Sequence, residues 1–316
     1  MPRLPAPLLS LTAAVSWGAM FPVADHVLPR VDPFAMTAIR YGLGSLAFLA
    51  ILAAVEGSGA LRFDGRFRSL FALGSIGFAG FNLLTFVGLE HTTPQGAAII
   101  VATMPVLTAL VLWARGGERP TRATAIAIAV ALGGAALVVT KGELGSGWEI
   151  GDVLVLAGVL SWVIYTTGAA RFPELSPLRY TALTASLGTI TIFASTAVAV
   201  LVGQQAVPSA ADARAEWLGL GFVVVFGAVI AVLAWNAGVR RLGAANATLF
   251  INLVPITALA IRIAGGYDPA AAEYVGTGLV IAALLGANIA ARSRPQSALS
   301  SMRAPVQARL RLHADG

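Results

Sequence analysis

The chain has 316 residues, 57% of them hydrophobic and only 11% charged, with a mean hydropathy of +0.81. A soluble domain carries about 25% charged residues, so a water-soluble globule is excluded. The absence of cysteine also excludes disulfides and thiolate metal sites, and the net charge of +6 is spread over short loops and a tail, as membrane topology requires and a nucleic-acid interface does not.

A hydrocarbon core about 30 Å thick needs roughly 20 apolar residues per helix. Ten stretches satisfy this: 6–24, 33–55, 68–89, 95–114, 121–140, 150–170, 177–203, 216–239, 245–264 and 271–291. Arg3 before the first stretch resembles the start of a signal peptide. That stretch is too long and contains Trp17 and Pro22, so an uncleaved helix is the better reading. Turn-forming pairs punctuate the rest: Asp32-Pro33, Asp64-Gly65, Thr93-Pro94, Arg119-Pro120, Ser176-Pro177, Pro208-Ser209 and Asp268-Pro269. The expected fold is an all-α integral membrane protein of ten transmembrane helices.

Arginines decide the direction of each span. With a cytoplasmic N-terminus, Arg62, Arg66, Arg68, Arg115, Arg119, Arg122, Arg171, Arg179, Arg240, Arg241 and the tail arginines fall inside, leaving Arg30, Lys141, Arg214 and Arg262 outside. Two segments repeat, Gly88–Val106 (GLEHTTPQGAAIIVATMPV) and Gly238–Ile256 (GVRRLGAANATLFINLVPI), each with a proline seventeen residues after the glycine. Their loops carry opposite charge signatures. Ser16-Trp17 matches Ser161-Trp162, Asp32-Pro33 matches Ser176-Pro177, and Pro120 matches Pro269. Five helices per copy is an odd number, so the second copy enters the membrane inverted. The expected organisation is repeat 1 over 1–141, inverted repeat 2 over 150–291 around a central cavity, and a basic cytoplasmic tail over 292–316.

Several stretches carry a family likeness: SWGAMFPVAD, DPFAMTAIRYGLGSL, FNLLTFVGLEHTTPQGAAIIVATMPVLTALV, GGERPTR, GDVLVLAGVLSWVIYT and AWNAGVRRLGAANATLFINLVPITALA. The chain resembles the EamA family of the drug/metabolite transporter superfamily over about residues 6–291. The resemblance implies a ten-helix transporter of small metabolites, most often amino acids and related compounds, in a bacterial inner membrane. One departure stands out. The family commonly has Gly-Glu after helix 9, like Gly117-Glu118 after helix 4, and this chain has Gly266-Tyr267.

In inverted-repeat transporters the site lies near the midplane, where helices are interrupted. Trp17 and Trp162 sit eleven and twelve residues into their helices, close to mid-membrane at about 1.5 Å of rise per residue. Met20, Phe21 and Tyr165 lie one turn away, giving each helix an aromatic face that either stacks a substrate or fills the core. Asn82, Asn236 and Asn252 place amides inside spans, as substrate hydrogen-bonders or as interhelical glue. Thr85 and Trp235 occupy matching positions in helices 3 and 8. Thr103, Met104 and Pro105, with Val254 and Pro255, mark where proline frees backbone carbonyls. Arg40 is the charge well inside a span, to be read as a carboxylate anchor or gate, or as a side chain snorkelling to Asp32 and the headgroups. The glycines at 74, 77, 80, 133, 134, 276, 278 and 286 read as close-packing positions.

No carboxylate or histidine lies mid-span, so facilitated transport is the expectation, with Glu90 and His91 at the outer rim as weak coupling candidates. An intramembrane enzyme lacks the necessary base or metal motif. The partners expected are a small-molecule substrate, with neutral and aromatic amino acids foremost, and the lipid bilayer. No cofactor, metal or nucleic acid is expected, and oligomeric state is left open.

Overall fold

The computed structural model describes residues 5–89, 91–92, 100–117, 120–141 and 149–292. They are helical throughout, with no strand among them. Eight helical stretches are long and apolar enough to cross a membrane, and Met104–Ala114 and Ala271–Ala283 are shorter apolar helices. Large side chains such as Leu46, Ile126, Ile190 and Leu285 point outward, exposed by 55% or more. Such a surface is a liability in water and matches lipid.

We number the main helices in chain order. α1 is Ala6–Val27, α2 Pro33–Glu56, α3 67–89, α4 Met104–Ala114 and α5 Arg122–Thr140. α6 is Ile150–Gly168, α7 Pro177–Leu201, α8 Trp217–Leu242, α9 Ala244–Ala264 and α10 Ala271–Arg292. The starts follow from local chemistry. Pro33 and Pro177 stand at the first helical position, where no amide hydrogen is needed. Ser176 Oγ accepts from the Arg179 amide at 2.9 Å, and Thr121 Oγ1 from the Thr124 amide at 3.2 Å. Glu149 and Asp152 form a reciprocal capping box on α6. Gly57, at φ 83°, ends α2 in a conformation closed to most side chains.

Three helices are irregular where they pass the centre. α3 contains a π-segment over Ser75–Gly80 and α8 another over Val223–Ile230. α9 tightens to a 3₁₀ turn over Thr248–Asn252 just before Pro255, whose ring and missing amide hydrogen disturb the preceding turn. At the corresponding point before Pro105, Thr103 is a turn residue between helical Ile100–Ala102 and α4.

Packing partners follow a pattern. α1 lies against α8 and α9, while α6 lies against α3 and α4. α2 packs on α7 and on the π-segment of α8; α7 packs on α3 and its π-segment; α5 packs on α10. Glycines set the closest approaches. A methyl on Gly134 would meet the Gly276 carbonyl oxygen at 2.6 Å, and one on Gly74 would collide with the Thr184 carbonyl. Gly133, Gly278 and Gly286 have nothing within 4 Å. They are therefore not close-packing positions among the described residues, because their helix faces point away from any neighbour.

Candidate functional site

Three tryptophans converge from three helices. The Trp17 ring on α1 lies 5.8 Å from Trp162 on α6, edge to face, and 5.5 Å from Trp235 on α8. Trp162 continues the cluster to Phe78 at 5.9 Å, Phe81 at 5.7 Å and Tyr165 at 5.1 Å. Each such pair contributes about 0.5–1.5 kcal/mol beyond its area burial. Trp235 and Tyr165 are fully buried and Trp162 nearly so, whereas Trp17, Met20 and Phe81 are half-buried and form the accessible edge. The indole nitrogens are tied down: Trp17 Nε1 donates to the Gly227 carbonyl at 3.0 Å and Trp235 Nε1 to Thr166 Oγ1 at 3.3 Å.

The carbonyl that Trp17 takes belongs to the π-segment of α8. Gly227 leaves room there for Met20, whose Sδ would lie 2.6 Å from a methyl at that position. On α3 the counterpart Gly77 makes room for the Tyr165 ring, which a methyl would clash with. Met20 follows Trp17 by three residues and Tyr165 follows Trp162 by three. The two contacts therefore repeat each other across the molecule.

Arg40 on α2 is 4% exposed. Its Nη2 donates to Asn82 Oδ1 at 2.5 Å, its Nη1 lies 3.1 Å from Met20 Sδ, and its guanidinium carbon sits 4.5 Å from the Tyr41 ring centre. Asn82 in turn donates to the Phe78 carbonyl at 2.7 Å, again within a π-segment. The side chain does not snorkel. Asp32 instead accepts from the Ala206 amide at 2.9 Å.

A second polar group surrounds Asn236, whose Nδ2 contacts Tyr165 Oη at 2.7 Å and Thr181 Oγ1 at 2.8 Å. The Oδ1 atoms of Asn236 and Asn252 are buried without a partner, as is Thr85 Oγ1. Asn252 Nδ2 donates to the Leu249 carbonyl on its own segment at 3.2 Å, and Thr103 Oγ1 to the Ile100 carbonyl at 2.6 Å. Thr85 lies in the α3–α6 seam, where a methyl on Gly158 would come within 2.8 Å of its hydroxyl. Phe21 lies on α1 with its side chain outside the described residues, and Glu90 lies outside them altogether. His91 is exposed, and its carbonyl accepts from the Gly151 amide at 3.2 Å.

Besides Asp152 in the α6 capping box, two buried carboxylates went unnoticed in the sequence. Glu216, 3% exposed, meets Arg30 at 2.5 Å and His26 at 3.7 Å. Glu273, 2% exposed, accepts from Tyr267 Oη at 3.0 Å and from the Ala270 amide at 2.8 Å. Tyr267 also carries Arg262 at 3.9 Å and Lys141 at 5.2 Å over its ring. Its hydroxyl beside the Lys141 ammonium raises that group above its ordinary pKa. Tyr267 thus ties the α9–α10 turn to Glu273 on α10. Both acids stand at helix starts, where sequence position alone reads as a solvated rim. Among the described residues, no three His, Cys, Asp or Glu gather in a way that could hold a metal ion.

The EamA-like transporter family matches this chain twice, over residues 4–140 and 149–289. The chain belongs to that family. The chain is similar to the "Uncharacterized transporter YrdR" of Bacillus subtilis, 38% identical over 89% of this chain and 90% of that protein. The "Probable terminal-alkyne amino-acid exporter" of Streptantibioticus cattleyicolor is 27% identical over 86% and 89% of the two chains. A crystal structure matches with a TM-score of 0.76 at 22% identity, covering 92% of this chain and 99% of that one, a likeness of fold. EamA membership and the helices together make this a multi-pass membrane protein of a transporter family.

Proposed function

We propose that the chain is a secondary transporter that moves neutral amino acids, aromatic ones included, out of the cell by alternating access. The observation that carries this reading is the meeting of Trp17, Trp162 and Trp235 from three helices, with the half-buried edge of Trp17 and Met20 beside it. Aromatic faces accommodate apolar side chains and ammonium groups alike. The side chains gathered there are rings, amides, a thioether and a guanidinium, with no nucleophile set against a base, which favours transport over catalysis. The relative named an amino-acid exporter supports the substrate class.

In this reading ten spans form two inverted repeats, 1–141 and 150–291, with both termini and the 292–316 tail in the cytoplasm of a bacterial inner membrane. Three features support it. The packing partners are those a two-fold relation would exchange, with α1 on α8 and α9 answered by α6 on α3 and α4. The π-segments end at Gly80 and Ile230, 150 residues apart, the same interval as Gly88 to Gly238. The family match also divides near 141–149. Transport runs down the substrate gradient, with Glu90 and His91 as the weak alternative for proton coupling.

A proteoliposome uptake screen across amino acids, nucleosides, sugars and cationic dyes tests the substrate class. Transport confined to nucleosides, sugars or dyes would sink it. For topology, a cysteine at exposed Gln204 should react with an impermeant thiol reagent in intact cells and one at Ser58 should not. The reverse pattern overturns the orientation.

A further inference from the structure

Arg40 is a full positive charge at 4% exposure, and every partner it has among the described residues is neutral. Its Nε is buried with nothing to donate to. No carboxylate among the described residues pairs with it, whereas Arg30, Arg62, Arg66 and Arg179 all find one. An isolated charge on a transmembrane helix is disfavoured unless an anion or water compensates it.

The other half of the molecule shows that the architecture does not require this charge. Arg40 is the eighth residue of α2 and Thr184 the eighth of α7, both helices opening on proline. Arg40 reaches Met20, three residues past Trp17, and Thr184 lies 3.5 Å from Tyr165 Oη, three residues past Trp162. Thr184 is satisfied within its own helix by the Tyr180 carbonyl at 2.6 Å. The same place in the packing is thus filled once by an internally satisfied hydroxyl and once by a guanidinium that lacks a counterion among the described residues.

We propose that Arg40 is the receptor for a carboxylate on the transported molecule, so that substrates must carry one. This rests on the transport reading and deepens it. Nε and Nη2 form one edge of the guanidinium, the edge that grips a carboxylate with two parallel hydrogen bonds, and the Nε on it is unpartnered. Asn82 is a positioning residue: it holds Nη2 while bonding the Phe78 carbonyl on α3. Met20 Sδ, a weak acceptor, stays on Nη1 away from that edge. The Trp17 and Met20 edge then receives the remainder of the molecule.

The test is a ligand panel on the purified full chain, read by thermal stabilisation: phenylalanine, its carboxamide, phenethylamine and 3-phenylpropionate. Both acids should bind wild type, with the amide and amine weaker by roughly 10- to 100-fold, the value of a hydrogen-bonded charge. In Arg40→Gln and Arg40→Thr the four compounds should become equivalent, and Arg40→Lys should restore part of the preference. Should these variants not fold, the wild-type panel decides alone. Equal binding of amide, amine and acids overturns the proposal, as does an acid preference that survives Arg40→Gln, or failure of both acids to bind. A preference that persists in lipid-free detergent assigns the site to a solute; one that appears only when anionic lipid is removed assigns Arg40 to a headgroup and overturns the proposal. Binding of 3-phenylpropionate without phenylalanine keeps the carboxylate receptor and sinks the amino-acid reading. Uptake of amide and acid alike does the opposite.

Discussion

Trp17 meets Trp162 edge to face at 5.8 Å, one half-buried and the other 4% exposed. The pair divides its duties accordingly. Trp17→Ala should cut transport at least tenfold per folded molecule, and Trp17→Phe should recover most of it by restoring a ring. Trp162→Ala removes a core ring, which costs about 3–5 kcal/mol, so its loss should appear first as a lower melting temperature. Initial uptake rates normalised to monodisperse protein separate the two. Normal transport by both alanine variants would place the cavity elsewhere.

Adjacent glycines on α5 should respond with opposite signs. Gly134→Ala drives a methyl to 2.6 Å from the Gly276 carbonyl, a backbone atom that cannot step aside. The expected cost is about 1–3 kcal/mol. Gly133→Ala meets nothing within 4 Å and should be neutral or stabilising by up to ~1 kcal/mol from helix propensity. Thermal unfolding of the purified variants reads both, and equal shifts would contradict the α5–α10 contact.

Lys141 is the single lysine in the chain, so one isotope-labelled ammonium signal reports it. Tyr267 raises its pKa above 10.5, and Tyr267→Phe should lower it. The sign follows from linkage: a raised folded-state pKa stabilises while the group is protonated in the fold, and that contribution disappears as pH climbs through the folded value. The stability of wild type and Tyr267→Phe should therefore differ in a pH-dependent way only in the alkaline range around and above 10.5.

Arg30 and Glu216 join the α1–α2 turn to the start of α8 at 2.5 Å. Arg30 is 54% exposed, so solvent screens the pair, and Glu216→Gln should cost about 1–2 kcal/mol, below the 3–5 of a wholly buried bridge. A double-mutant cycle with Arg30→Gln should return a coupling of about 1 kcal/mol. Zero coupling would make the contact incidental.

Helices were legible in the sequence because apolar runs, prolines and caps are local signals. The spans expected at 33–55, 121–140 and 271–291 differ from Pro33–Glu56, Arg122–Thr140 and Ala271–Arg292 by a residue or so. Trp17 and Trp162 were findable because the repeat aligned them. Arg40 stood out as a charge within a span, but its choice of Met20 and Asn82 over Asp32 depends on how α1, α2 and α3 pack, which no local pattern encodes. Glu216 and Glu273 were missed for the same reason, their burial being conferred by distant elements. Gly133 and Gly134 look identical in sequence, and only the location of α10 tells them apart.

The π-segments bear on how much chain each helix holds. A π-bulge is an α-helix with one residue to spare. Deleting one residue from an ordinary helix turns everything beyond it by about 100° and draws it in by about 1.5 Å, which moves every later contact to the wrong side. Within Ser75–Gly80 or Val223–Ile230 the same deletion can instead be absorbed by straightening the helix, so that Asn82 and Trp235 keep their facing. What such a shortened chain would surrender is the pair of locally loosened carbonyls at Phe78 and Gly227, which now receive Asn82 and Trp17. α3 and α8 thus carry surplus length at the points where their own carbonyls are taken up by side chains.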